Sequence, residues 1–315
     1  MASEVALLMK DLAGVIRRLK LGSELFLSPD RLVQFEHWAG HIPFAFWLTR
    51  ALRPRALVEL GVHRGNSYCA FCQAISTFRI SARAFGIDTW SGDAHMGFEA
   101  GLLAELRTHH DPRYATFSTL LEMTFDQARD RFADGSIDLL HIDGMHAYDA
   151  VQHDFETWLP ALSDRSVVLF HDIEVRRDQF GVWRFWEEVS TRFPAFAFRH
   201  SHGLGVLATG RNLPPAVAVL FDHVQEMPFS DQVRRIFATC GRALTLQLQN
   251  EALRNELAAL RAAGGAVGRH SHEALVAEPS APDLGTSSPR ERPPSEASHS
   301  ETKGQDGGPL QPTLM

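Results

Sequence analysis

Ile137-Asp138-Leu139-Leu140-His141-Ile142-Asp143-Gly144-Met145-His146-Ala147-Tyr148 is an apolar run that ends in acid and histidine, and Ser166-Val167-Val168-Leu169-Phe170-His171-Asp172 repeats that design about one βα unit later. Short apolar runs separated by a helical stretch read as neighbouring parallel strands, buried on both faces. Ligands of such sheets bind just beyond the carboxyl ends of the strands. Asp143, His146, His171 and Asp172 are therefore expected to converge on one crevice.

The alternation extends in both directions. Upstream it runs strand 56–59, helix 67–78, strand 84–88, helix 97–109, strand 119–123 and helix 125–133; downstream come helices at 147–159 and 181–192 and a closing pair, Phe196 to Arg199 with Gly205 to Ala208. This order specifies an α/β fold built on a doubly wound, Rossmann-like sheet, here assigned to a domain at 51–212. Residues 1–50 read as an N-terminal helical cap, with Leu12, Val15, Ile16 and Leu19 at helical spacing. Residues 213–263 form a C-terminal helical segment in which Ile236, Thr239, Ala243, Leu246, Asn250, Leu253, Leu257 and Leu260 recur every three or four positions. That pattern fits a short coiled coil joining a homodimer, with Asn250 at an a position, and equally an amphipathic helix lying on its own domain. Residues 264–315, rich in Gly, Pro, Ser and Glu, read as a disordered tail.

The net charge of −7 lacks the basic stripe of a nucleic-acid binder, and no apolar run reaches the length of a membrane span, so a cytoplasmic protein is expected. Three cysteines cannot make a disulfide framework. Cys69 and Cys72 read as small apolar side chains on the buried face of a helix rather than as a redox pair.

The chemistry is carried by strand ends. Val58-Glu59-Leu60-Gly61 leads through Gly65 directly into a helix opened by Ser67. Glycines let a backbone approach a ligand closely, and a helix N-terminus offers unpaired N–H groups. The spacing is not that of a dinucleotide fingerprint, and Glu59 would repel a pyrophosphate while holding a cationic group. At the next strand end, Gly86-Ile87-Asp88 supplies a carboxylate suited to ribose hydroxyls. A nucleoside with a positive tail, S-adenosylmethionine, satisfies both turns.

These residues resemble class I S-adenosylmethionine-dependent methyltransferases, and most nearly the bacterial methyltransferase type 24 domain. The resemblance rests on Glu59-Leu60-Gly61 with Gly65, Gly86-Ile87-Asp88-Thr89-Trp90-Ser91-Gly92-Asp93, the run from Asp138 to Tyr148, and His171-Asp172. It implies a seven-stranded sheet with an antiparallel last strand. It also implies cofactor at Glu59, Gly61, Gly65, Ser67 and Asp88, and a small-molecule or glycan acceptor near Asp143, His146, His171 and Asp172. O-methylation of a sugar or another hydroxylated metabolite is the activity it suggests.

Methyl transfer to oxygen needs the acceptor deprotonated and in line with the methyl group. Asp143 and Asp172, with His146 or His171, suit a divalent metal such as Mg²⁺ that lowers the acceptor pKa; a histidine oriented by a carboxylate suits metal-free base catalysis. His141, inside its strand, reads as a hydrogen-bonded core residue. The loop carrying Asp93 and His95 reads equally as a lid and as a solvated βα loop, and His200-Ser201-His202-Gly203 as a turn without a role. Trp183, Phe185 and Trp186 read as packing. Two other classes fit the pattern: a non-catalytic assembly partner of a glycan-building enzyme, and a hydroxylase with iron on His146, His171 and Asp143 or Asp172.

Overall fold

The computed structural model describes residues 12–33, 37–92, 100–177 and 179–275. Helix α1 covers 12–18, and α2 (Ile42–Leu52) completes the described part of the N-terminal cap. The alternating core follows as β1 (Ala56–Leu60), α3 (Asn66–Thr77), β2 (Arg83–Asp88), α4 (Leu102–Tyr114), β3 (Ser118–Glu122), α5 (Phe125–Arg129), β4 (Ile137–Ile142) and α6 (Tyr148–Trp158). It closes with β5 (Leu162–His171), α7 (Val182–Val189), β6 (Ala195–Phe198) and β7 (Leu204–Ala208), after which come α8 (Pro215–Asp222) and α9 (Met227–Leu275).

The seven strands lie in the order β3-β2-β1-β4-β5-β7-β6, and β7 runs antiparallel to both its neighbours. The chain winds outward from β1 to β3, then returns to lay β4 beside β1. That reversal opens a crevice at the carboxyl ends of β1 and β4.

Strand alternation sorts the core into two layers. Val58, Leu60, Leu140 and Ile142 pack on one face with α6 and α7 residues, whereas Leu57 and Leu139 face the layer built by the cap, α2 and α3. By the same period of two, Glu59 and His141 point toward the cap layer, and the β1–β4 register makes them direct neighbours. Cys69 and Cys72 are buried free thiols in this layer, and burial pushes Cys72 up to about 12. Thiols held protonated in this way do not serve as redox nucleophiles. Phe185 and Trp186 are buried in the opposite layer, and the Arg176 guanidinium covers the Trp183 ring at 4.5 Å.

Boundaries moved where local capping or pairing decided them. Helix α4 begins at Leu102, after Gly101 with φ of 86°; position 97 lies outside the described residues. Strand β5 starts at Leu162, four positions early, because Leu162 pairs with Ile137 across a register shift. Helix α5 ends at Arg129; its start is set by a capping box between Thr124 and Gln127.

Helix α9 divides along its length. Phe229, Val233, Phe237 and Leu244 are buried and Leu248 packs against the same core, so to this point the helix lies on the domain. Residues 251–261 are exposed throughout. The helix continues to Leu275, past the boundary read at 263, and tail residues 276–315 lie outside the described residues. By compactness the chain forms one unit to Ala259 and a second from Leu260; sheet and crevice belong to the first. Among the described residues no helix is long and apolar enough to cross a membrane.

Candidate active site

The turn after β1 is shaped by the protein's own backbone. Gly61 has a φ of +89°, and a Cβ there would lie 2.1 Å from the Asp143 carbonyl oxygen. The glycine lets the ends of β1 and β4 close on each other, so its space is taken by Asp143 rather than reserved for a ligand. Gly65, at φ of +80°, similarly lets Leu106 approach.

Asp88 organises this turn. Its Oδ2 accepts from the backbone N–H groups of Val62 at 2.9 Å and His63 at 2.8 Å, and Oδ1 accepts from Trp90 N–H at 2.8 Å. A carboxylate has about four acceptor positions, so roughly one remains for a ligand hydroxyl. Trp90, at φ of 47°, donates Nε1–H to the His63 carbonyl, which fixes its ring on the cavity wall.

Glu59 does not reach the cavity. Its side chain has no exposed surface; Oε1 accepts from Ser67 Oγ at 2.6 Å, and Oε2 lies 3.0 Å from His141 Nδ1. Trp38 donates Nε1–H to His141 Nε2 at 3.1 Å, which leaves the ring proton on Nδ1, facing the carboxylate. Burial raises the Glu59 pKa, against the opposing pull of His141. Glu59 thus sits behind Ser67 rather than on the cavity wall, and His141 is a hydrogen-bonded core residue. Trp38, from the cap, and Ser67 both line the cavity at the two ends of this chain of contacts.

At the ends of β4 and β5 the four expected residues meet. His146 Nε2 lies 2.9 Å from Asp172 Oδ2, and His171 Nδ1 lies 3.3 Å from Asp143 Oδ1 and 3.4 Å from Asp172 Oδ1. His171 Nε2 faces the Ser201 carbonyl at 3.2 Å. Both ring nitrogens of His171 therefore face groups that only accept, an arrangement that favours the doubly protonated imidazolium. Burial alone would lower its pKa, but the charge of Asp143 prevails and raises it to about 9. Burial likewise works against Asp172, yet the hydrogen bond from His146 and the charge of His171 bring it down to about 2. Asp143 is lowered for the same reason, through His171. His146 is raised: its burial is outweighed by the Asp172 hydrogen bond. The Phe180 ring stacks on His146 at 4.6 Å and 17°.

One cavity of ≈ 460 Å³ joins the two halves, with Gly61, Ser67 and Asp88 at one side and Asp143, His146, His171 and Asp172 at the other. Leu102, Phe125 and Met145 add apolar wall. Ligand atoms of Asp143, His146 and Asp172 lie within 4.8 Å of one another, close enough to share one cation.

His202, which the sequence places in a turn, borders the cavity. The turn at 200–203 contributes a cavity residue whose Nδ1 is 3.1 Å from Asp172 Oδ1. The signal was in the strand directions: β7 is antiparallel, and His171 pairs with Leu204, so the residues just before β7 must arrive where β5 ends. Asp93 and His95 lie outside the described residues.

Sheet order and crevice define a doubly wound, Rossmann-like α/β fold with an antiparallel β7. Residues 58–173 match the model of the type 24 family, described as a methyltransferase domain. A 183-residue stretch, 58% of this chain, is 48% identical to the uncharacterized protein y4gI of Sinorhizobium fredii, and the chain spans only 20% of that relative's length. Among solved structures, the O-methyltransferase TomG of Streptomyces achromogenes, in complex with SAM, is 16% identical with a TM-score of 0.43, over 64% of this chain and 90% of that one. The O-methyltransferase of Bacillus cereus, in complex with SAH, is 14% identical with a TM-score of 0.42, over 63% and 90%.

Proposed function

We propose that the chain transfers the methyl group of S-adenosylmethionine to a hydroxyl of a sugar, glycan or other small hydroxylated metabolite, with a divalent cation such as Mg²⁺ held by Asp143, His146 and Asp172. One observation carries this reading. The same cavity that holds the nucleoside-type turn of Gly61, Ser67 and Asp88 also holds two carboxylates and an imidazole whose donor atoms converge within 4.8 Å.

The donor set fits a hard divalent ion, which prefers oxygen and accepts imidazole. When bound, such an ion lowers the pKa of an acceptor hydroxyl. The protein groups do the rest. Asp88 takes a ribose hydroxyl on its remaining acceptor position while its other bonds hold the Val62–His63 turn rigid. Ser67 and the start of α3 face the methionine end. The negative charge of Asp143 favours a sulfonium in the cavity. His171, protonated at neutral pH, holds Asp143 and Asp172 in place and does not act as the base.

A metal-free reading is favoured by the His146–Asp172 distance of 2.9 Å, which orients His146 as a base. Chelation separates the two: loss of methyl transfer and its return with Mg²⁺ supports the ion, and unchanged transfer assigns the proton to His146. Calorimetry with S-adenosylmethionine tests the whole reading. Absence of binding by the wild-type chain sinks it, and an Asp88→Ala variant that binds normally removes the ribose assignment. Labelled cofactor with a panel of glycans then identifies the acceptor.

A further inference from the structure

Helix α9 carries two apolar stripes on opposite sides. Leu244 and Leu248 pack on the domain. Leu246, Leu253, Leu257 and Leu260 are 46%, 62%, 47% and 63% exposed. At 3.6 residues per turn these four fall within a strip about 60° wide, and Leu244 and Leu248 fall on the far side of the helix. The second stripe therefore begins on the outer side of the docked half and runs along the exposed half. A helix gains most of its stability by packing an apolar face, and among the described residues nothing of its own domain lies behind this one.

We propose that the stripe pairs with the same segment of a second copy of this chain, as a parallel two-stranded coiled coil. Leu246, Leu253 and Leu260 take d positions, and Ala243, Asn250 and Leu257 take a positions. The flanking charges select this occupant and this direction. Arg254 and Arg261 fall at e positions and Glu256 at a g position. A parallel pair sets each g residue against the following e residue across the seam, so Glu256 meets the partner's Arg261. An antiparallel pair sets e against e, arginine against arginine. In the parallel register Asn250 meets its own copy, where a lone polar a residue fixes alignment.

Light scattering and sedimentation of the full chain test the proposal. The expected mass is twice that of one chain, and a monomer or a trimer at micromolar concentration overturns it. Leu253→Lys/Leu257→Lys is expected to yield monomer with the melting transition of the domain intact, because both side chains are exposed; a dimer in that variant overturns the assignment. Glu256→Arg is expected to weaken association about tenfold by turning two symmetric attractions into repulsions, and adding Arg261→Glu restores it. Failure of the charge swap to restore the dimer refutes the parallel pairing.

Discussion

Glu59 and His141 sit side by side across β1 and β4, and Asp143 and His171 sit side by side across the ends of β4 and β5, two residues further along the same strand. The residue types match, and the surroundings do not. The first pair has no exposed surface and is closed over by Trp38, with Phe71 packed edge-on to the imidazole. The second borders the cavity, where two carboxylates share three histidines. The difference teaches that depth along a strand, more than residue identity, separates an acid–histidine pair sealed in the core from one that borders the cavity.

The sharpest way to break that contrast is to exchange the outcomes. Asp172→Asn is expected to lower methyl transfer by about 10³-fold or more while the chain stays folded, since it removes a charge from the cluster proposed to hold the acceptor. Labelled-cofactor assays beside a melting curve measure both effects. If Asp172→Asn leaves transfer intact, the strand-end cluster is not the acceptor site.

Glu59→Ala acts on the other side of the comparison. Removing one member of a buried pair is expected to cost roughly 3–5 kcal/mol of stability. Urea unfolding measures the loss, and Glu59→Leu/His141→Leu should recover much of it. A variant that instead keeps its stability and loses cofactor affinity would show that the sealed pair does meet the ligand.

A pH series sharpens the contrast further, with chelator present. The folded pKa of His171 is about 9, above its ordinary value, so its contribution to stability is complete below about pH 6.5 and disappears as pH rises through 9. The stability gap between wild type and His171→Gln should follow that curve, reaching on the order of 3 kcal/mol at the acid end. Asp172 has the opposite sign: its contribution is complete above about pH 4 and fades as pH falls toward 2. A gap that grows with alkali would contradict the imidazolium assignment.

The smallest expected effect belongs to His202. His202→Ala frees Asp172 Oδ1 from one neighbour but leaves His146 and His171 in place, so transfer should fall only about tenfold. A loss as deep as that of Asp172→Asn would place His202 among the groups that touch the acceptor.

The order of elements, the strand ends bearing acids and the convergence of Asp143, His146, His171 and Asp172 were all legible in the chain. Each follows from local periodicity, and parallel strands bring their carboxyl ends to one edge. Only the tertiary structure decided the rest. Glu59 sits away from the cavity because the β1–β4 register aims it at His141 and the cap lays Trp38 over both. His202 was delivered to Asp172 because β7 runs backwards along β5. Helix α9 was docked as far as Leu248 and left bare beyond it, although its three-and-four spacing continues through Leu260. Periodicity is a property of neighbours in sequence, whereas burial is conferred by elements far away in the chain, so the sequence determined which faces exist and the packing decided which of them border the cavity, join a core or face open solvent.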